Sequence, residues 1–299
     1  MKKIIIAVIV VVLVGLGIYY FTHKTDTKDT GINQLPTTPS TPVETSTTTP
    51  TNSNPNSIGK SAGGLDINAY HFGTGSTELV FIGGIHGGYE WNTSLVAFQL
   101  MDYLKQNPTI VPENVMVTVI PVMNPDGLNK TIGTTTAFMA SDVPSSQDLQ
   151  VAGRFNANTV DLNRNFDCDW QAEGKWQNKT VSGGTAAFSE PESQAIKSYV
   201  ESKNPAAVVV WYSAAGGVFA SSCHNGVSTE TQALTNTYAK ASGYKAYQTF
   251  DFYEITGDMV NWLAKSNVPA ISVLLTNHTD TEWSKNRAGV EALLKSYAK

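Results

Sequence analysis

The amino-acid sequence predicts an α/β layered domain with a mixed, mostly parallel central sheet, and three observations carry that expectation. From residue 61 onward, short β-branched runs alternate with stretches of helical periodicity. Glycine pairs, prolines and Asn/Asp turns punctuate the boundaries between them. No internal repeat is visible, and 299 residues are ample for one large core.

A transmembrane helix is expected ahead of that domain. Lys2-Lys3 precede an uncharged run from Ile4 to Phe21, roughly enough helix to cross a hydrocarbon core of about 30 Å. Tyr19 and Tyr20 suit an interfacial belt, and the two lysines favour a cytoplasmic N-terminus. Residues 1–23, with His23 on the flank, are therefore read as an uncleaved anchor, a cleaved signal peptide being the alternative. Residues 24–60 read as a linker. Gly31 to Ser57 is mostly Thr, Ser, Pro and Asn, has Glu44 as its one charge, and cannot offset its ordering entropy by burial. The domain is expected over 61–299.

Within it, Leu79–Ile82 is a buried strand ending in Gly83-Gly84, and Ser94–Lys105 has helical spacing. Val115–Val122 is a strand, and Asn124-Pro125-Asp126-Gly127 reads as a turn. Ser189-Glu190-Pro191-Glu192 has the form of a capping box opening a helix to about Lys203. Ala207–Tyr212 is a buried strand, and Thr229–Ser242 a helix stopped by Gly243. Gly257–Lys265 is helical, Ala270–Leu275 a strand and Gly289–Ala298 a closing helix. Ligands of such sheets sit outside the strand carboxyl ends, where the unusual residues fall.

Charge narrows the function. The chain has 20 Lys+Arg and 25 Asp+Glu; five bases and three acids lie in the first 60 residues, leaving 15 against 22 beyond. An acidic body without Lys/Arg runs excludes a nucleic-acid binder. Two cysteines exclude a disulfide-dense miniprotein and a Cys-rich zinc module.

The residues that carry chemistry come in order. Gly83-Gly84-Ile85-His86-Gly87-Gly88-Tyr89-Glu90 puts an imidazole and a carboxylate at a strand end, a plausible zinc pair, though a loop His and a capping Glu fit it as well. Asn124–Gly127 follows, then Arg154 and the run Val160-Asp161-Leu162-Asn163-Arg164-Asn165-Phe166. An Asn-Arg pair near a second Arg can hold a carboxylate by charge-assisted bonds; a structural ion pair is the alternative. Phe188–Glu192 and then Tyr253, Thr256-Gly257-Asp258 and Trp262 complete the series.

Taken together, this series resembles the zinc carboxypeptidases of the carboxypeptidase A-like kind, over roughly residues 64–299. The resemblance implies a single α/β/α domain with about eight mixed strands and one zinc at the sheet edge. It implies that His86 and Glu90 are metal ligands and that Arg154 polarises the scissile carbonyl. By the same resemblance, Asn163 and Arg164 are expected to grip the substrate's C-terminal carboxylate, and Tyr253 to close over it. Val260 lies at the base of the side-chain pocket, which suggests an apolar preference, and nearby Asp258 leaves a basic or diaminopimelate-like residue open.

Three departures stand against that pattern. His86 and Glu90 have three residues between them rather than two, which still shares a helix face. The third ligand, a His before Ser213, is replaced by Tyr212, a doubtful ligand because a phenol must lose a proton to bind zinc. The catalytic glutamate is replaced by Leu274; general acid–base catalysis is worth about 10²–10⁴ in rate, roughly 3–5 kcal/mol. His224 is a candidate rescuer, with a solvated loop His as the alternative, whereas His71 and His278 read as surface or satisfied structural residues. Glu254 and Glu282 are near in sequence, with no spacing that promises the right geometry.

Three functions are compatible with the resemblance. One is a zinc metallocarboxypeptidase acting on the C-terminal end of peptides. Another is an inactive relative that binds such ends; a different hydrolytic reaction on the same scaffold, such as deacylation, is a third. A Cys168–Cys223 bridge would staple two site-lining loops, two independent thiols being the alternative. The expected partners are a peptide, or a peptidoglycan stem peptide, with a free C-terminal carboxylate, and the membrane through the N-terminal helix. The expected location is extracytoplasmic and membrane-anchored, at the cell surface or in the periplasm, or secreted if the N-terminal segment is cleaved.

Overall fold

A computed structural model describes residues 54–299 of the chain. The expected anchor, and the linker up to residue 53, lie outside the described residues. Among the described residues no helix is long and apolar enough to cross a membrane.

Four parallel strands form the middle of the sheet: β3 (Thr77–Ile82), β4 (Val115–Ile120), β7 (Ala207–Ser213) and β10 (Ala270–Leu275). On one side β2 (Asp66–Phe72) pairs antiparallel with β4, and β1 (Asn56–Lys60) with β2. On the other, β8 (Gly217–Ala220) runs antiparallel to β10 and β9 (Ala246–Tyr247) parallel to β8. The eight-stranded order is β1-β2-β4-β3-β7-β10-β8-β9, so the sheet is mixed and parallel at its centre, as expected.

Central strands covered on both faces read as near-continuous apolar runs, and β7 shows it from Ala207 to Trp211. Val209 and Trp211 pack under α1 (Trp91–Gln106), α5 (Thr229–Ser242) and α7 (Trp283–Tyr297), in a core with Val96, Leu100, Tyr238 and Leu293. Val208, Val210 and Tyr212 face the opposite layer, α4 (Pro191–Lys203) and α6 (Met259–Lys265), with Ile196, Val200, Met259 and Leu263. A period of two thus splits one strand between two cores. Tyr212 and Leu274 fall on the same face and are register partners across β7 and β10.

Several local expectations are corrected. Asn124–Gly127 is not a free turn: it opens helix α2 (Pro125–Ile132), with Asn124 Oδ1 accepting the Gly127 N–H at 2.9 Å. Asn followed by Pro satisfies a helix start as readily as a turn. The capping box does not form at α4. Glu190 is the N-cap and makes no side-chain cap bond, because Ser189 Oγ instead accepts from Asn165 Nδ2 (2.9 Å) and the Thr185 N–H (3.2 Å). The last helix begins at Trp283 rather than 289, its first turns disguised by the fully buried, polar Asn286. Strand β1 lies before the boundary expected at 61, and the hairpin β5 (Glu173–Trp176)/β6 (Lys179–Ser182) was not expected from the sequence.

Candidate functional site

The carboxyl ends of β3, β7 and β10 open onto one cavity of about 680 Å³. His86, Tyr89, Glu90, Arg154, Asn163 and Tyr212 line it, with Tyr253, Asp258, Val260, Leu274 and His278. The topology therefore brings together nearly all the residues singled out by sequence, where ligands of such sheets bind.

The loop after β3 turns sharply, with Gly84 at φ +66° and Gly87 at φ +43°, and delivers Glu90 as the N-cap of α1. His86 Nδ1 lies 2.9 Å from Glu90 Oε1, and Nε2 lies 3.4 Å from Asp161 Oδ1. Neither ring nitrogen makes an aligned hydrogen bond, although both are buried. Glu90 Oε2 accepts the Ser213 N–H at 3.1 Å.

Arg154 follows helix α3 (Gln147–Ala152) and is 1% exposed. Its backbone carbonyl accepts from Asn124 Nδ2 at 3.1 Å, which gives the Asn124 motif its purpose. The guanidinium donates to Asp161 Oδ2 through Nε (2.9 Å) and lies 2.8 Å away through Nη2, with Glu90 Oε1 at 3.8 Å. It also stacks over Trp176, 4.5 Å from the ring centroid. Burial pushes the Asp161 carboxyl up, but Arg154, His86 and Arg164 outweigh it and hold the group well below the usual carboxylate range. Asp161 thus anchors the cation and one side of the imidazole. It lies inside the Val160–Phe166 run, but a lone Asp beside Asn-Arg carries no sign of its counterion.

Arg164 is placed differently from the expectation. Its Nε and Nη2 donate to the Lys175 carbonyl (3.0 and 2.5 Å) and Nη1 to the Asn163 carbonyl (2.6 Å), and it does not line the cavity. Three of its five N–H groups are taken by the backbone it braces. Asn163, in the 3₁₀ turn Leu162–Arg164, does line the cavity. Tyr253 enters from the loop before α6, its ring 5.0 Å from Phe250; burial raises its hydroxyl pKa, while Arg164 and Arg154 oppose the shift. Val260 is buried on the wall. Asp258 is engaged as the N-cap of α6, accepting from Asn261 N–H (3.3 Å) and Nδ2 (2.8 Å). Burial raises its pKa, with Arg164 opposing.

Two expected metal-site roles are not filled. The Tyr212 phenol donates to Asn163 Oδ1 at 3.2 Å. Burial, then the charges of Asp258 and Glu90, hold its pKa well above the ordinary value, so it stays neutral. His224 is exposed, bonds Asp169 at 2.9 Å and does not line the cavity. A catalytic zinc takes three protein ligands and a water. Among the described residues, the one His/Cys/Asp/Glu group with all ligand atoms within 4.8 Å is Cys168, Cys223 and His224, and its sulfurs are joined in the Cys168–Cys223 disulfide. Among the described residues no third His, Cys, Asp or Glu is grouped with His86 and Glu90 at that spacing, so a complete catalytic zinc centre is not assembled in this arrangement.

At the expected glutamate position, Leu274 lines the cavity and offers no proton acceptor. Glu254 is exposed at the rim. Glu282 is engaged elsewhere, by Thr276, Tyr244 and Lys285.

His278, read from sequence as a surface or structural residue, instead faces the cavity. Asn92 Nδ2 donates to the carbonyls of Asn277 (2.8 Å) and Asp280 (3.0 Å), which fixes Asn92 Oδ1 as an acceptor. Ser213 gives that oxygen its one hydroxyl proton (3.2 Å), so the 2.9 Å contact between Ser213 Oγ and His278 Nδ1 requires the proton on Nδ1. The Nε2 lone pair is left for the cavity. Only its place just past a strand carboxyl end could have marked this residue in the sequence. His71 is a satisfied structural residue, bonded to Thr118 at 2.9 Å.

Similarity to known proteins agrees with the geometry. Over 217 residues the chain is 27% identical to gamma-D-glutamyl-L-diamino acid endopeptidase 1 of Lysinibacillus sphaericus, covering 66% of this chain and 54% of that protein. Over 98 residues it is 33% identical to human carboxypeptidase D, covering 31% of this chain and 6% of that protein. The chain thus spans about half, or much less, of the length of these relatives. The fold is shared with murein-tripeptide amidase MpaA from Escherichia coli O157, at TM-score 0.58 and 21% identity over 82% of this chain and 93% of that one. It is shared also with bovine thrombin-activatable fibrinolysis inhibitor, at TM-score 0.63 and 17% identity over 81% and 87%. The family description Zinc carboxypeptidase matches residues 43–290, most of the chain and all of the cavity wall just described. This chain belongs to the zinc carboxypeptidase family.

Proposed function

We propose that this domain captures the C-terminal end of peptides, cell-wall stem peptides foremost, and that its hydrolytic centre has been reduced. One observation carries the reading. Arg154 and Asn163, the residues expected to hold a substrate, line the cavity, while the expected ligand and base positions hold the neutral Tyr212 and Leu274 as register partners. The named activities of the endopeptidase relative and of the amidase neighbour support cell-wall peptide as the ligand class. The expected anchor at 1–23 supports an extracytoplasmic location. The test is calorimetric titration of muropeptides with free and amidated C-termini, run beside a hydrolysis assay. Binding of the free acid without cleavage agrees with the proposal. No binding or thermal protection at millimolar ligand overturns it.

A metallocarboxypeptidase is the second reading, favoured by His86, whose two buried ring nitrogens lack aligned partners beside Glu90. Zinc content of the purified protein separates the two: a stoichiometric ion together with cleavage favours the second.

A further inference from the structure

We propose that Tyr212, standing where a metal ligand was expected, is a positioning residue that aims the Asn163 carboxamide at the carboxylate of a bound peptide. The inference rests on the C-terminal capture proposed above and deepens it.

The orientation of Asn163 is forced. Its Oδ1 lies 3.2 Å from the Met259 backbone nitrogen, and a backbone N–H only donates, so this atom is the oxygen and not the amide nitrogen. Tyr212 Oη lies 3.2 Å from the same oxygen and therefore donates as well. Both tethers pull on one side of the carboxamide. Nδ2 has no protein partner among the described residues, is not enclosed, and belongs to a residue on the cavity wall. Its two N–H groups are thus presented to the cavity that Arg154 also lines. An amide with a fixed oxygen and free N–H groups is a carboxylate donor that loses little orientational entropy on binding.

Tyr212 is well placed to hold that geometry. It is 5% exposed, rises from the central strand β7, pairs in register with Leu274, and its ring centroid is 5.8 Å from that of His86. Its hydroxyl has one proton, and that proton goes to Asn163. Imidazole turned towards a metal could not make this bond, so the exchange of His for Tyr converts a ligand position into a support for substrate recognition.

The test compares two probes, an acetylated tripeptide with a free C-terminal carboxylate and the same peptide as its C-terminal amide. Each is titrated calorimetrically into wild type, Tyr212→Phe, Asn163→Ala and the double variant, with thermal melts as a fold control. The phenylalanine variant should bind the acid about three- to tenfold more weakly, the range of one net hydrogen bond. Amide binding should stay unchanged, and the double variant should bind no worse than Asn163→Ala. Asn163→Gln, which keeps the amide but sets its oxygen one methylene further out, should lose the acid-over-amide preference without any change at Tyr212. If the phenylalanine variant does not fold, Tyr212→Met, which also removes the hydroxyl donor to Asn163 Oδ1, should show the same loss for the acid alone, and an unchanged acid-over-amide ratio in it overturns the positioning role. An unchanged acid-over-amide ratio in Tyr212→Phe, equal loss for both probes, or additive losses in the double variant overturns the positioning role. If wild type does not distinguish acid from amide, C-terminal capture fails as well, so the two failures are separable.

Discussion

Asp161→Asn tests the charge architecture of the site most directly. The wild-type carboxylate is completely buried and lies 2.8 and 2.9 Å from two Arg154 nitrogens, 3.4 Å from His86 Nε2 and 3.1 Å from the Asn163 N–H. The amide keeps the shape but leaves a guanidinium with 1% exposure facing a neutral group. Breaking a buried pair by removing one partner costs about 3–5 kcal/mol, and the nearby Glu90, 3.8 Å from Nη1, offsets part of it. About 3 kcal/mol is therefore expected. Urea unfolding at pH 7 gives the figure directly, and a cycle with Arg154→Met should show strong coupling. The pH dependence adds a sign. Folding depresses the Asp161 pKa, so its contribution is present above the ordinary value near 4 and is lost as pH falls further. The acid limb of the stability curve should be flatter in Asp161→Asn. A loss under 1 kcal/mol at pH 7, or additivity with Arg154→Met, would refute the view that this pair anchors the site.

Three further outcomes are expected. Replacing Cys168 and Cys223 by alanine opens a loop of 55 residues, and the chain-entropy relation gives about 4 kcal/mol of lost stability, read by urea unfolding of the non-reduced proteins. Glu192 is fully buried, and burial, opposed by the Ala62 N–H and Asn156, pushes its pKa up to about 7. A raised carboxyl pKa means the folded state holds the proton more tightly, so stability declines between about pH 4.5 and 7, by at most about 3 kcal/mol; Glu192→Gln should abolish that slope in a melting series. Gly88→Ala would set a Cβ 1.9 Å from Thr131 Oγ1 and 2.3 Å from its Cβ. That overlap should cost more than the usual 1–3 kcal/mol of overpacking and lower the melting temperature unless Thr131→Gly accompanies it.

The central sheet was legible because doubly covered strands read as near-continuous apolar runs, and β3, β4, β7 and β10 do, broken by Thr77, Glu78, Thr118, Ser213 and Ser272. The outer strands were not, since β1 and β2 are partly exposed and carry polar residues that also suit a linker. Asn124 and Ser189 show a second limit: residues that cap helices and residues that make turns are the same residues, and only tertiary partners choose between them. In the site, His86, Glu90, Arg154, Asn163 and Tyr253 could be placed through the order of their motifs. Arg164 could not, because nothing local tells that its fork meets the Lys175 carbonyl on a distant hairpin. His278 could not either, because its exposed lone pair follows from a relay through Ser213 and Asn92, residues far apart in the chain.

Two of the three departures from the family pattern, those at 212 and 274, are better understood as one. Tyr212 and Leu274 are register partners on one sheet face, and the carboxyl groups of Asp258, Glu90 and Asp161 and the guanidinium of Arg164 all act on the Tyr212 phenol. A glutamate at 274 would add a fourth buried carboxylate to that neighbourhood. With no complete ligand set for a divalent cation to neutralise it, the added charge would be destabilising by several kcal/mol. A neutral side chain at 212 therefore favours an uncharged one at 274, and Leu274 sits in the same apolar cluster as Tyr212. The reversal should be equally coupled. Leu274→Glu alone is expected to lower the melting temperature, and Tyr212→His alone to raise zinc uptake from the two-ligand level. The double variant with zinc should recover most of the stability that Leu274→Glu loses. Elemental analysis and melting curves with and without zinc measure this. Equal destabilisation by Leu274→Glu in the Tyr212 and His backgrounds, with zinc present, would show that the two positions changed independently.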